Sequence, residues 1–101
     1  MKFGLTAEEF SLLDELVIAP LKKHDCRVWI FGSRAREDHQ KFSDIDIAYE
    51  LKSKKTLPSG FISTVKEALE ESRINYKVDL VNAAELAQSY RDSFNQDRIE
   101  L

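Results

Sequence analysis

Apolar residues recur at helical spacing early in the chain, at Phe10, Leu13, Leu16, Val17 and Leu21, and Thr6 with Glu9 three residues later forms a capping-box pattern. A helix from about residue 7 is expected. Pro20 lacks an amide donor and should kink or shorten that helix near its end, where Lys22, Lys23 and His24 suit the negative pole of the dipole. His24 is read as a helix-end residue rather than a ligand. The period then changes. Val28, Trp29, Ile30 and Phe31 follow one another without alternation, as in a short strand covered on both faces. Gly32 breaks the run, so residues 33–38 are expected as a short helix, 39–43 as a polar loop and 44–50 as a second strand.

Residues 51–60 mix lysine, serine, proline and glycine and read as an exposed connection with a solvated charge run. Phe61, Ile62, Val65, Ala68 and Leu69 then define an amphipathic helix, and residues 76–81 a third strand. Asn82 with Glu85 can cap a final helix carrying Ala83, Ala87, Tyr90 and Phe94 on a stripe read as core. Helices alternating with three strands predict a small two-layer α/β domain whose strand order and directions stay open.

Residues in the second and third strands change this bland picture. In Ser43-Asp44-Ile45-Asp46-Ile47, alternation puts Asp44 and Asp46 on one face and the isoleucines on the other. Two such charges roughly 6–7 Å apart repel by about 2–3 kcal/mol at an effective dielectric near 20, and a divalent cation would offset that. Asp79 interrupts the apolar run Val78-Asp79-Leu80-Val81, although aspartate is depleted in strands. If the two strands are neighbours, Asp79 can complete a set of three carboxylates. Oxygen-only donors suit Mg²⁺, and two metals so bridged can serve an in-line displacement at phosphorus.

Gly32-Ser33, at a strand-to-helix turn, lets backbone N–H groups approach an anion, with the Ser33 hydroxyl and the forks of Arg34 or Arg36 as further phosphate contacts. Each piece alone has a bland reading as a turn, a strand end or an edge charge; their conjunction in this order is specific. His39 and Lys41 are read as solvent-exposed loop residues, Tyr49 as core, and Glu50 as a strand-end charge outside the site.

Length and composition narrow the class of partner. One hundred and one residues hold one domain, 1–101, and the composition, 43% hydrophobic and 33% charged, is that of a globule rather than a disordered chain. With a net charge of −3 and a pI of about 5.4, there is no basic field to hold long nucleic acid. Cys26, the only cysteine, excludes an internal disulfide and a cysteine zinc cluster, and is read as a small buried hydrophobe in a reducing compartment. Glu8 and Glu9 stand where a signal peptide would be basic then apolar, and no run is long enough to span a bilayer, so a cytoplasmic protein without a membrane partner is expected.

The run Val28-Trp29-Ile30-Phe31-Gly32-Ser33-Arg34-Ala35-Arg36 followed by Ser43-Asp44-Ile45-Asp46 resembles the minimal nucleotidyltransferase domain of the polymerase-β-like superfamily. Its pattern is Gly-Ser, a spacer of about ten, Asp-x-Asp and a later strand aspartate, here matched by Asp79 in Val78-Asp79-Leu80-Val81. The resemblance implies that Asp44 and Asp46 hold Mg²⁺ with a triphosphate such as ATP, that Asp79 serves a second metal or activates the acceptor hydroxyl, and that Gly32 and Ser33 contact phosphates. One position departs: Glu37 stands where family members commonly have glycine, which bears on the turn after the short helix. The resemblance further implies a helical HEPN-type toxin as partner, this chain being the antitoxin that transfers AMP to a tyrosine of that toxin. Two alternatives stand beside it: a binding module that neutralises its partner without catalysis, and a nucleotidyltransferase acting on a small molecule such as an amino sugar. The preferred nucleotide, the acceptor and the state of homo- or hetero-oligomerisation stay open.

Overall fold

The computed structural model describes residues 2–38, 40–53 and 56–101. His39 and part of the 51–60 connection, Lys54 and Lys55, lie outside the described residues. The chain begins with α1 (Ala7–Leu13), whose capping box closes as expected: the Thr6 hydroxyl accepts from the Glu9 amide at 3.1 Å and the Glu9 carboxylate accepts from the Thr6 amide at 2.8 Å. The helix is not simply kinked at Pro20. It widens into a π-helical segment at Asp14–Ile18, where the Ala19 amide donates to the Asp14 carbonyl, then resumes as α2 (Ala19–Lys23) with Pro20 in its first turn. A proline ring crowds the carbonyl four residues back and supplies no donor. Widening just before Pro20 accommodates both, so the apolar stripe runs on through Leu13, Val17, Ile18 and Leu21 into the core. His24 terminates α2, and its ring stands edge-on to Phe61 at 4.7 Å.

Strands β1 (Cys26–Phe31) and β2 (Ile45–Leu51) are antiparallel, joined through α3 (Gly32–Arg36) and the loop after it. The amphipathic α4 (Phe61–Glu70) carries the chain from β2 to β3 (Val78–Asn82), which runs parallel to β2, as a helical crossover permits. Asn82 does act as a cap, but of a 3₁₀ turn at Ala83–Glu85; α5 (Gln88–Asp97) starts only afterwards. Among the described residues the sheet has four strands rather than three. The addition is β4 (Ile99–Glu100), which pairs with β1 to give the order β3-β2-β1-β4.

One face of this mixed sheet carries Cys26, Val28, Ile30, Ile45, Ile47 and Tyr49 against the N-terminal helices and α4. The opposite face holds a smaller apolar group, Trp29, Ala48, Ala83 and Phe94. There the Phe94 ring of α5 stands edge-on to Trp29 at 5.6 Å and to Phe31 at 5.3 Å. Helix α5 therefore adds a partial layer on the side away from α1, α2 and α4. Among the described residues, no helix is long and apolar enough to cross a membrane.

Candidate functional site

Strand register decides where the carboxylates fall. Asp46 and Asp79 are direct partners across the parallel β2–β3 pair, and partners in register project to the same face. Asp44, two residues before Asp46 and just ahead of β2, is exposed. Phe31, the last residue of β1, is the partner of Asp46 on the other side, which brings the turn that follows Phe31 to this carboxylate. Gly32 opens that turn at φ +77°, and a Cβ built there would stand 2.5 Å from Asp46 Oδ2. Only glycine leaves room for both the left-handed backbone and the carboxylate. The glycine turn and the acidic pair thus form one local structure.

Asp46 is the electrostatic focus. Its pKa is pushed up to about 6, first by burial and then by the negative charges of Asp79 and Asp44, with Arg36 and Lys77 opposing. Its resistance to ionisation is what a carboxylate shows when its neighbours are like-charged and partly shielded from water. Lys77 Nζ lies 3.4 Å from Asp79 Oδ1, an exposed pair that offsets part of the acidic field. Among the described residues, no group of three or more His, Cys, Asp or Glu side chains is gathered closely enough to hold a metal ion. The donor chemistry nonetheless fits a hard divalent cation: three oxygen-only side chains, two of them register partners, with mutual repulsion that a cation would relieve.

The two arginines part company. Arg36 borders the site, its Nη1 donating to Asp97 at 2.6 Å and its Nε to Asp38 at 2.9 Å. Arg34 does not reach it. Its guanidinium is buried, donating from Nε to the Ser43 carbonyl at 3.0 Å and from Nη1 to the Phe3 carbonyl at 2.8 Å. The expectation of a phosphate contact from Arg34 is corrected accordingly, because its fork is already committed to main-chain acceptors. Glu50 is exposed at the far end of β2, and Tyr49 is buried in the main core, both as expected.

A cleft of about 870 Å³ runs along β3, with Gly32, Arg36, Asp46 and Asp79 on its wall and Leu69 of α4 and Tyr90 of α5 on its flanks. Two of its residues escaped the sequence reading. Tyr90 was expected in the core with Phe94; it is 66% exposed, because α5 packs through Phe94 alone at that level. Asp97 closes α5, an unfavourable place for a negative charge against the helix dipole. That misplacement was a readable signal that a cation, here Arg36, would meet it.

The sequence matches the family described as Polymerase beta, Nucleotidyltransferase across residues 17–99. The chain belongs to this nucleotidyltransferase family. It is 35% identical over 68 residues to a Haemophilus influenzae relative named "Probable protein adenylyltransferase MntA", a match covering 67% of this chain and 58% of the relative. The chain thus spans less than two thirds of that relative's length. A solved minimal nucleotidyltransferase shares 28% identity at a TM-score of 0.68, over 96% of this chain and 97% of the other. The antitoxin complex of a tri-AMPylated Shewanella oneidensis HEPN toxin is more distant, with 18% identity and a TM-score of 0.58 over 91% and 70% of the two chains. A toxin–antitoxin structure with AMP-PNP gives 20% and 0.64 over 86% and 70%. At those two lower identities the likeness speaks for the nucleotidyltransferase fold alone.

Proposed function

We propose that this chain is a Mg²⁺-dependent nucleotidyltransferase that moves AMP from ATP to a hydroxyl acceptor, a tyrosine of a HEPN-type toxin, and so acts as a cytoplasmic antitoxin. The observation that carries the proposal is the pairing of Asp46 with Asp79 in register, beside a glycine whose missing side chain makes room for Asp46. Similarity to a relative named as a protein adenylyltransferase supports AMP as the transferred group and a protein as its acceptor.

In this reading Asp44, Asp46 and Asp79 would hold the cation, which supplies charge neutralisation for the triphosphate. The Gly32–Ser33 turn and Arg36 face the phosphates. The acceptor oxygen forms a bond to the α-phosphorus, the bond from that phosphorus to the bridging oxygen breaks, and pyrophosphate leaves. Asp79, on the edge strand and open to the cleft, takes the acceptor's proton. Proton removal by a positioned carboxylate and alignment of attacking and leaving oxygens are the tasks such a transfer sets.

Incubating the chain with labelled ATP, Mg²⁺ and its helical toxin should add one AMP mass to the toxin, on tyrosine. Neutralisation without that increment would favour the binding module. Transfer to an added sugar alcohol in the absence of any protein partner would favour the small-molecule enzyme.

A further inference from the structure

Among the described residues, Arg34 is the charged side chain that this fold buries, with 1% of its surface exposed. Removing a guanidinium from water is costly unless its donors are met, so its partners matter. Nε holds the Ser43 carbonyl at 3.0 Å, Nη1 holds the Phe3 carbonyl at 2.8 Å, and the plane lies over the Tyr76 ring, 4.4 Å from its centroid. Nη2 is buried with no hydrogen-bond partner among the described residues. A side chain kept only to fill space would do better without that unmet donor. What an apolar residue could not supply is the fork.

Two of these partners, Ser43 and Tyr76, lead to the candidate catalytic carboxylates. Ser43 immediately precedes Asp44. On the other flank of Asp44, the Ile45 amide donates to the Lys77 carbonyl at 2.8 Å. The main chain of Asp44 is therefore held from both sides, once by Arg34 and once by the segment entering β3. Tyr76, beneath the guanidinium, belongs to that same segment, three residues before Asp79. Arg34 itself starts from α3, two residues after Gly32. One buried fork thus touches the three pieces of chain that carry the glycine turn, the Asp-x-Asp pair and the third aspartate.

We propose that Arg34 is a positioning residue of this site: by pinning the Ser43 carbonyl while stacked on Tyr76, it sets the separation of Asp44 from the strand bearing Asp79. The proposal rests on the reading of those carboxylates as the nucleotidyl-transfer centre. Lysine cannot reproduce the function, since its compact ammonium lacks the rigid planar fork that meets both carbonyls while stacking on Tyr76.

The test compares the full chain with Arg34→Lys and Tyr76→Leu by amide hydrogen exchange and by binding of Mn²⁺ with ATP. Loss of a charged donor to a main-chain acceptor should raise exchange of the Ile45 amide by roughly tenfold or more in Arg34→Lys, while β1 amides change by less than about twofold. A uniform rise across the sheet, or no rise at Ile45, would overturn the proposal in favour of a packing role. Tyr76 is only half-buried, so Tyr76→Leu should fold even where Arg34→Lys does not. It must show the same regional rise, and its absence counts equally against the proposal. Affinity for Mn²⁺ with ATP should weaken roughly tenfold in Arg34→Lys. If the unmodified chain binds no Mn²⁺ with ATP, the nucleotidyl-transfer reading fails, and the exchange at Ile45 still decides whether Arg34 positions this loop.

Discussion

Gly32 and Asp46 occupy the same space: the carboxylate Oδ2 of one lies 2.5 Å from where a Cβ on the other would be. Gly32→Ala therefore imposes two penalties, a left-handed backbone at φ +77° for a residue with a Cβ and a forced displacement of Asp46. We expect a stability loss of about 1–2 kcal/mol from the backbone alone, read by urea denaturation. Transfer should fall well beyond what that loss explains, because the displaced group is a carboxylate of the proposed centre. Wild-type transfer rates in Gly32→Ala would show that the coupling between turn and strand has no functional weight.

The position of Asp46 gives stability a pH dependence of defined sign. Its carboxyl is held up to about 6 in the folded chain against an ordinary value of 3.8, so the fold binds its proton more tightly than the unfolded chain does. The resulting stabilisation is complete below about pH 4 and is lost as the pH rises through about 6. With a chelator at pH 8, Asp46→Asn should be more stable than the wild type by about 1 kcal/mol, a modest figure because the carboxylate is half-exposed and screened. At pH 3.5 the difference should vanish. Added Mg²⁺ should raise the wild-type Tm at pH 8 and leave that of Asp46→Asn unmoved.

Asp44→Asn and Asp79→Asn separate catalysis from folding. Neither carboxylate is buried, and removing one member of a mutually repelling set costs no stability. Circular dichroism and Tm should match the wild type, while AMP transfer drops by about a hundredfold or more, the scale of losing a group that stabilises charge at the reacting phosphorus. Full activity in either variant would remove that residue from the centre.

Local chemistry was more legible than long-range packing. The capping box of Thr6 and Glu9 follows from spacing alone, since it depends on residues three apart. The pairing of Asp46 with Asp79 required only that two strands be neighbours. Arg34 was misjudged because its acceptors, the carbonyls of Phe3 and Ser43, meet it only once the N-terminal segment and the loop before β2 have closed over α3. Strand β4 left no periodic trace, for two residues have no period; it exists through its pairing with Trp29 and Ile30. Tyr90 shares a stripe with Phe94, yet lies over the cleft, where no element covers it.

Arg36 is tied to α5 through Asp97, whose side chain is 12% exposed. A double-mutant cycle on Arg36→Gln and Asp97→Asn should give a small but measurable coupling, limited by the exposure of the guanidinium. If Arg36 also meets phosphates, Arg36→Gln should raise the KM for ATP more than Asp97→Asn does. Equal effects on KM would confine Arg36 to holding α5.

Glu37 tests how the turn after α3 tolerates the absence of glycine. It adopts the left-handed conformation at φ 62°, and the bonds around it are those of a Schellman ending: the Glu37 amide donates to the Arg34 carbonyl at 3.2 Å and the Asp38 amide to the Ser33 carbonyl at 3.1 Å. The turn that glycine usually makes is thus built with a residue that a left-handed backbone disfavours by about 1–2 kcal/mol. Glu37→Gly relieves that strain but frees the unfolded chain, at a cost of about 0.5–1 kcal/mol. A net gain of about 0.5–1 kcal/mol in urea denaturation is expected, with transfer unchanged because the side chain is exposed and does not line the cleft. A loss of stability would mean that the Glu37 side chain supports the turn in a way its backbone geometry does not reveal.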